Sequence, residues 1–162
     1  MTRKVTWTNA DGLVVGFGPN TKQLTGNVVE IDGGTAGVKA AQTVFDWKDL
    51  NAASTINVPI PAHSQVISVR IYVIEGFTST GTNTIEVGDG TDPNGFITTT
   101  AATTTTMATA GNVILPDGVF AFGATDTGAT ELHVYTAADT IDLITAMTDW
   151  TAGVAALQVT YV

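Results

Sequence analysis

Between residues 64 and 96 apolar and polar positions alternate with a period of two. Ile67, Val69, Ile71 and Val73 fall on one side and Ser68, Arg70 and Tyr72 on the other, the signature of a strand with one buried and one wetter face. Residues 76–81 carry turn chemistry. From residue 82 the alternation resumes, with Ile85 and Val87 inward and Thr84 and Glu86 outward, and Gly88-Asp89-Gly90 and Asp92-Pro93-Asn94-Gly95 end it in two tight turns. The pattern predicts a central hairpin on which the other strands assemble.

Before this stretch the chain reads as short strand-like pieces. Residues 4–8 alternate around Val5 and Trp7, residues 13–17 are apolar, and Asn9-Ala10-Asp11-Gly12 between them is a turn, so the two pieces fit a hairpin. A third short strand is expected over 28–31. Residues 38–47 read as strand into loop, because Thr43-Val44-Phe45 is rich in β-formers and the glycine-rich lead-in offers no N-cap pattern. From residue 55 strands are expected over 55–60, 66–74, 82–87, 96–100, 119–122, 131–135, 140–143 and 155–162, separated by Gly, Pro, Asn and Asp clusters. That spacing is the one found in β-sandwiches and jelly rolls. Residues 141–149 also suit a helix, and the threonine-rich run over 98–109 suits a strand or an edge loop. The fold class expected is all-β: a jelly-roll-like antiparallel β-sandwich with an N-terminal extended or β-hairpin arm. A composition shift near 48–54 divides it into residues 1–50 and a body over 51–162.

Length and composition sharpen this picture. A chain of 162 residues suffices for one core without disulfides or a structural metal. Charged residues make up only 13%, against roughly 25% in an average globular protein. A surface that neutral suits a protein packed against other subunits better than a freely diffusing enzyme. The net charge of -9 is unevenly placed. Arg3, Lys4, Lys22, Lys39 and Lys48 lie before Leu50 and balance five carboxylates, whereas beyond it Arg70 alone faces the remaining ten. An acidic body repels phosphate backbones and anionic lipid, so neither nucleic acid nor membrane is an expected partner. The near-neutral first third is the better docking surface. With no Cys there is no disulfide framework or thiolate site, and the first residues do not read as a signal peptide, which predicts synthesis in a cytoplasm. No run nears the ~18 apolar residues of a membrane span.

Candidate chemistry is sparse. His63 and His133 are far apart and have no Cys or paired His beside them, and no Gly-x-Ser-x-Gly elbow occurs. Glu75 and Glu86 flank the expected hairpin turn, but Glu75 shares parity with Ile71 and Val73 while Glu86 is out of phase with Ile85 and Val87. An unbulged pair would therefore send them to opposite faces, which argues against a glycosidase-like acid and base. Asp89, Asp92 and Asn94 are the best candidate for an ion, since Ca²⁺ prefers oxygen ligands in glycine-rich loops. Their spacing does not match an EF-hand, and two consecutive tight turns demand the same residues. No cofactor is implied. Trp7, Trp47 and Trp150 read as anchors of a core or a subunit interface rather than as a sugar platform.

Four stretches together resemble virion structural proteins of tailed bacteriophages, in particular jelly-roll capsid decoration (cement) proteins. They are Trp7-Thr8-Asn9-Ala10-Asp11-Gly12-Leu13, Val15-Gly16-Phe17-Gly18, Val58-Pro59-Ile60-Pro61-Ala62 and Val87-Gly88-Asp89-Gly90-Thr91-Asp92-Pro93-Asn94-Gly95. The resemblance implies a non-enzymatic β-sandwich, assembled as a homotrimer on the outer capsid surface and stapling major capsid protein subunits with an N-terminal arm. On that implication Val5, Trp7, Leu13, Val15, Phe17, Val28, Ile31, Phe45 and Trp47 are the expected interface residues, within an arm over residues 1–50. Similar turns occur in tail and fibre proteins, so a tail component with a receptor- or glycan-binding role is the alternative.

Overall fold

The computed structural model describes residues 37–52, 56–121 and 133–162 in full and residues 22–25 and 28–31 as backbone. Ten strands are present among them: β1 (Lys22–Thr25), β2 (Val28–Ile31), β3 (Lys39–Asp46), β4 (Ile56–Ile60), β5 (Ser64–Ser79), β6 (Ile85–Gly88), β7 (Val113–Ile114), β8 (Val134–Tyr135), β9 (Asp139–Thr145) and β10 (Trp150–Tyr161). Two short helices join them, α1 (Trp47–Asn51) and α2 (Thr104–Met107). The large sheet has seven strands in the order β1-β2-β3-β10-β5-β7, with β8 also paired to β5, and the small sheet has the order β4-β9-β6. Every pairing is antiparallel. Successive strands β3, β4, β5 and β6 alternate between the two sheets, as do β8, β9 and β10. That alternation is the jelly-roll wrap expected from the sequence.

The core lies between the sheets. From the large sheet it takes Ala41 and Phe45 of β3, Val69, Ile71, Val73 and Phe77 of β5, and Leu157 and Val159 of β10. From the small sheet it takes Ile56, Val58, Ile60, Ile85, Val87, Ile141 and Leu143. Strand β4 shows how pattern becomes packing: Ile56, Val58 and Ile60 point inward while Asn57 and Pro59 are exposed. Pro59 has no N–H for a ladder, and β4 lies at a sheet edge, where proline is tolerated.

Four expectations are corrected. The hairpin over 64–96 does not form, because β5 belongs to the large sheet and β6 to the small one; their inward residues face each other across the core instead of pairing by hydrogen bonds. Alternation along β5 is also interrupted. Tyr161 pairs with Val66 and Thr160 with Ser68, so Ile67 is an extra residue in the ladder, and Val66 rather than Ile67 is buried. Residues 96–100 contribute one isolated bridge, Val87 to Ile97, rather than a strand, and 119–121 form a turn. The strand expected over 140–143 is present as β9, Asp139–Thr145, and the helical alternative over 141–149 does not form.

Both helices were unexpected, and both carry capping boxes. Asp46 Oδ1 accepts from the amides of Lys48 and Asp49 at 2.7 and 3.1 Å, while the Asp46 amide donates to Asp49 Oδ2 at 2.9 Å. Thr103 and Thr106 exchange the equivalent pair inside the threonine run. The first helix places Leu50 in the core, so residues 39–50, grouped by the sequence with the arm, pack with the body.

Candidate functional site

A buried grouping of polar and aromatic side chains lies where β6 leaves the small sheet. Gly88 ends the strand, and a Cβ there would run into the backbone of Asp92 and Pro93, so the loop folds tightly onto its own start. Asp89 Oδ1 accepts from the amides of Thr91 and Asp92, each at 2.8 Å, closing the first turn. Its other oxygen faces inward, where Tyr135 Oη donates to Asp89 Oδ2 at 3.1 Å and His133 Nε2 lies 3.3 Å from the same atom. Asp89 is 3% exposed, and both oxygens of this buried carboxylate have partners in the protein.

His133 is wedged among rings. Its centroid is 3.9 Å from Phe120 and 4.5 Å from Tyr135, with Phe96 at 6.2 Å. Burial, and then the Asp89 charge and hydrogen bond, push the Tyr135 phenol well above its ordinary range, so it stays protonated and donates. An Asp–His pair could orient an imidazole as a base, but no serine or threonine among the described residues hydrogen-bonds to His133. The arrangement is a fastener between the two sheets. His133 and Asp89 are 44 positions apart, and nothing local in the sequence marks them as partners.

The remaining expected positions fall as follows. Of the three residues considered for an ion, Asp89 and Asp92 accept backbone amides within the loop, Asp92 Oδ1 from the Asn94 amide at 3.4 Å. Among the described residues no three His, Asp or Glu side chains group as metal ligands. Glu75 and Glu86 lie on different sheets. Val5, Trp7, Leu13, Val15 and Phe17 lie outside the described residues, and Val28 and Ile31 lie on β2. Phe45 is a core residue, with its ring 6.0 Å from Phe77, and Trp47 is half-buried against the same core. Trp150 is a core anchor too: it meets Phe77 edge-on at 5.4 Å, its indole donates to Thr145 Oγ1, and Asn51 bonds both its backbone groups.

Unpartnered apolar surface lies on the outer face of the large sheet. Register aligns Val44 of β3, Ala156 of β10, Tyr72 of β5 and Val113 of β7 in one row across four strands. Val44, Tyr72 and Val113, with Ile74 beside them, are 40–44% exposed, while the small Ala156 between Val44 and Tyr72 is buried at the floor of the row. On one side of the row a polar ladder crosses the sheet, Arg70 Nε donating to Gln158 Oε1 and Gln158 Nε2 to Gln42 Oε1, each at 2.9 Å. On the other side Asp46, Val154 and Glu75 are in register. Glu75 points outward, against its parity, because Ile74 is an extra residue opposite β10. Periodicity alone hid this row, since the outer positions of β3, β10 and β5 become neighbours only once the strand order is known.

No family model matches the chain, and no curated protein does. Three solved structures are similar in fold. A chain of the acid-stable capsid of Helicobacter pylori bacteriophage KHP30 superposes with a TM-score of 0.49 at 16% identity, over 87% of this chain and 92% of that one. A chain of the Ralstonia phage GP4 capsid gives 0.48 at 20%, over 78% and 84%. A chain of the cyanophage Pam1 capsid asymmetric unit gives 0.48 at 15%, over 99% and 98%.

Proposed function

We propose that the protein is a phage virion structural protein that decorates the outer surface of the capsid and binds the major capsid protein through the segment preceding Lys22. The sequence resemblance centred on residues 87–95 motivates this reading, and one structural observation carries it. Strands β1 and β2 continue the body sheet outward from β3, and β3 in turn is paired along its whole length with β10. Whatever grips the segment before Lys22 is thereby joined by continuous ladders to the core. A staple needs that coupling, because a load on the arm must reach the folded body without passing through a loose tether. Binding across subunit junctions adds free energy only to the assembled shell and so resists its disassembly.

The test is co-sedimentation with isolated shells. The full chain is expected to saturate them, whereas a variant lacking residues 1–21, which keeps every described strand, stays in the supernatant with an unchanged circular dichroism spectrum. Saturation by the shortened variant overturns the arm assignment. Density for the protein on the tail alone, in cryo-electron microscopy of whole particles, overturns the capsid assignment in favour of a tail component. The three-fold placement of copies on the shell that the resemblance implies is read from the local symmetry of that density.

A further inference from the structure

We propose that the outer face of the seven-stranded sheet is a two-fold interface between copies of this chain. The proposal does not depend on where in a virion the protein sits. It rests on how the face is ordered along β5: Arg70 lies on one side of Tyr72, Glu75 on the other, and the apolar row Val44–Ala156–Tyr72–Val113 runs between them across the strands. A two-fold axis along that row turns each face onto its copy and exchanges its two sides. Each residue of the row then meets its own counterpart, Tyr72 against Tyr72, while Arg70 comes opposite Glu75 of the second copy and Gln42 opposite its Asp46. One operation satisfies the whole face, which is the requirement for an isologous contact.

The charges are free to make it. Among the described residues neither Arg70 nor Glu75 lies within ion-pair distance of an opposite charge, and the hydrogen bond to Gln158 uses only Nε of the guanidinium, leaving its outer nitrogens available. Antiparallel strands brought together by this axis stack as aligned sheets, about 10 Å apart, a standard packing geometry. A partner of different sequence would have to present the reversed order of charges; a second copy presents it automatically.

Sedimentation of the full chain at about 0.1 mM is expected to give a dimer. Arg70→Glu and Glu75→Arg should each raise the dissociation constant by roughly tenfold or more through like-charge contacts, and the chain carrying both should return to near the original value, because the swapped charges again face each other. Tyr72→Lys should leave a monomer with an unchanged melting temperature, and Val113→Lys provides a second reading should that variant fold poorly. A monomer at that concentration overturns the proposal and leaves the face to another protein. So does a double variant as weak as the single ones, or an oligomer that none of these substitutions alters.

Discussion

Tyr135 donates a hydrogen bond to Asp89 across 3.1 Å, tying a strand paired with the large sheet to the loop that leaves the small one. The acceptor is a buried carboxylate, so removing the donor exposes the asymmetry between making a hydrogen bond and leaving its partner unmade. Tyr135→Phe is expected to cost about 1–3 kcal/mol at neutral pH. Urea unfolding measures it, and an unchanged midpoint would show that His133 satisfies Asp89 unaided.

The same phenol sets an alkaline limit. Its folded value is raised by burial and by Asp89, so its contribution to stability is intact below the ordinary tyrosine value of 10.0 and is lost as pH rises beyond it, where only the unfolded chain ionises easily. The melting temperature should fall from about pH 10 upward, and Tyr135→Phe should flatten that fall. A parallel decline in both proteins would assign the effect elsewhere.

Gly153 has φ +127, and a Cβ there would strike the ring of Phe77. Both backbone strain and overpacking act on any side chain at this position, so Gly153→Ala should destabilise by roughly 3 kcal/mol or more in total. Thermal unfolding checks it. A loss below about 1 kcal/mol would mean that β10 can straighten its irregular pairing with β5 at little cost.

Most of the body was legible in the chain because alternation survives wherever a strand has one buried face. β4, β9 and β10 follow their apolar positions to within a few residues, and the all-β sandwich follows from their spacing. The hairpin was not legible, since adjacency in sequence says that two strands are joined, not that they share a sheet. Bulges at Ile67 and Ile74 were equally hidden, because an extra residue is defined only against a partner strand. At Asp46 the capping box is present in the sequence as Asp46 and Asp49, three apart, but the β-rich run before it masks the helix start. The Asp89–His133–Tyr135 cluster left no local trace at all.

Leu50 measures where the body begins. It is 1% exposed and packs in the same core as Phe45 and Trp150. Leu50→Ala should cost about 2–5 kcal/mol of body stability, while shell binding per folded molecule stays unchanged. Loss of shell binding without loss of stability would return this residue to the arm.

Asp149 accepts hydrogen bonds from Thr80 and Asn83, which hold its carboxyl below the ordinary value of 3.8. The depressed value means that the stabilisation exists above about pH 4 and fades as pH falls through the folded value. Thr80→Ala should melt lower than the parent at neutral pH, and the gap should close in acid. A gap that persists once the carboxylate is protonated would show that the threonine acts through packing instead.

Strand β10 lies at the centre of the large sheet, between β3 and β5, yet it follows both of them in the chain. A ribosome therefore delivers two strands with open edges on either side of a slot whose occupant has not yet been made. Until it arrives, Val69, Ile71 and Val73 lack the neighbours that fix their register, and the outer face that the dimer would use does not exist. Closure of the sheet is then a late, long-range event of the kind that slows folding and exposes strand edges to aggregation. On the proposed two-fold contact, copies pair only after β10 is in place, so that assembly waits on closure of the sheet.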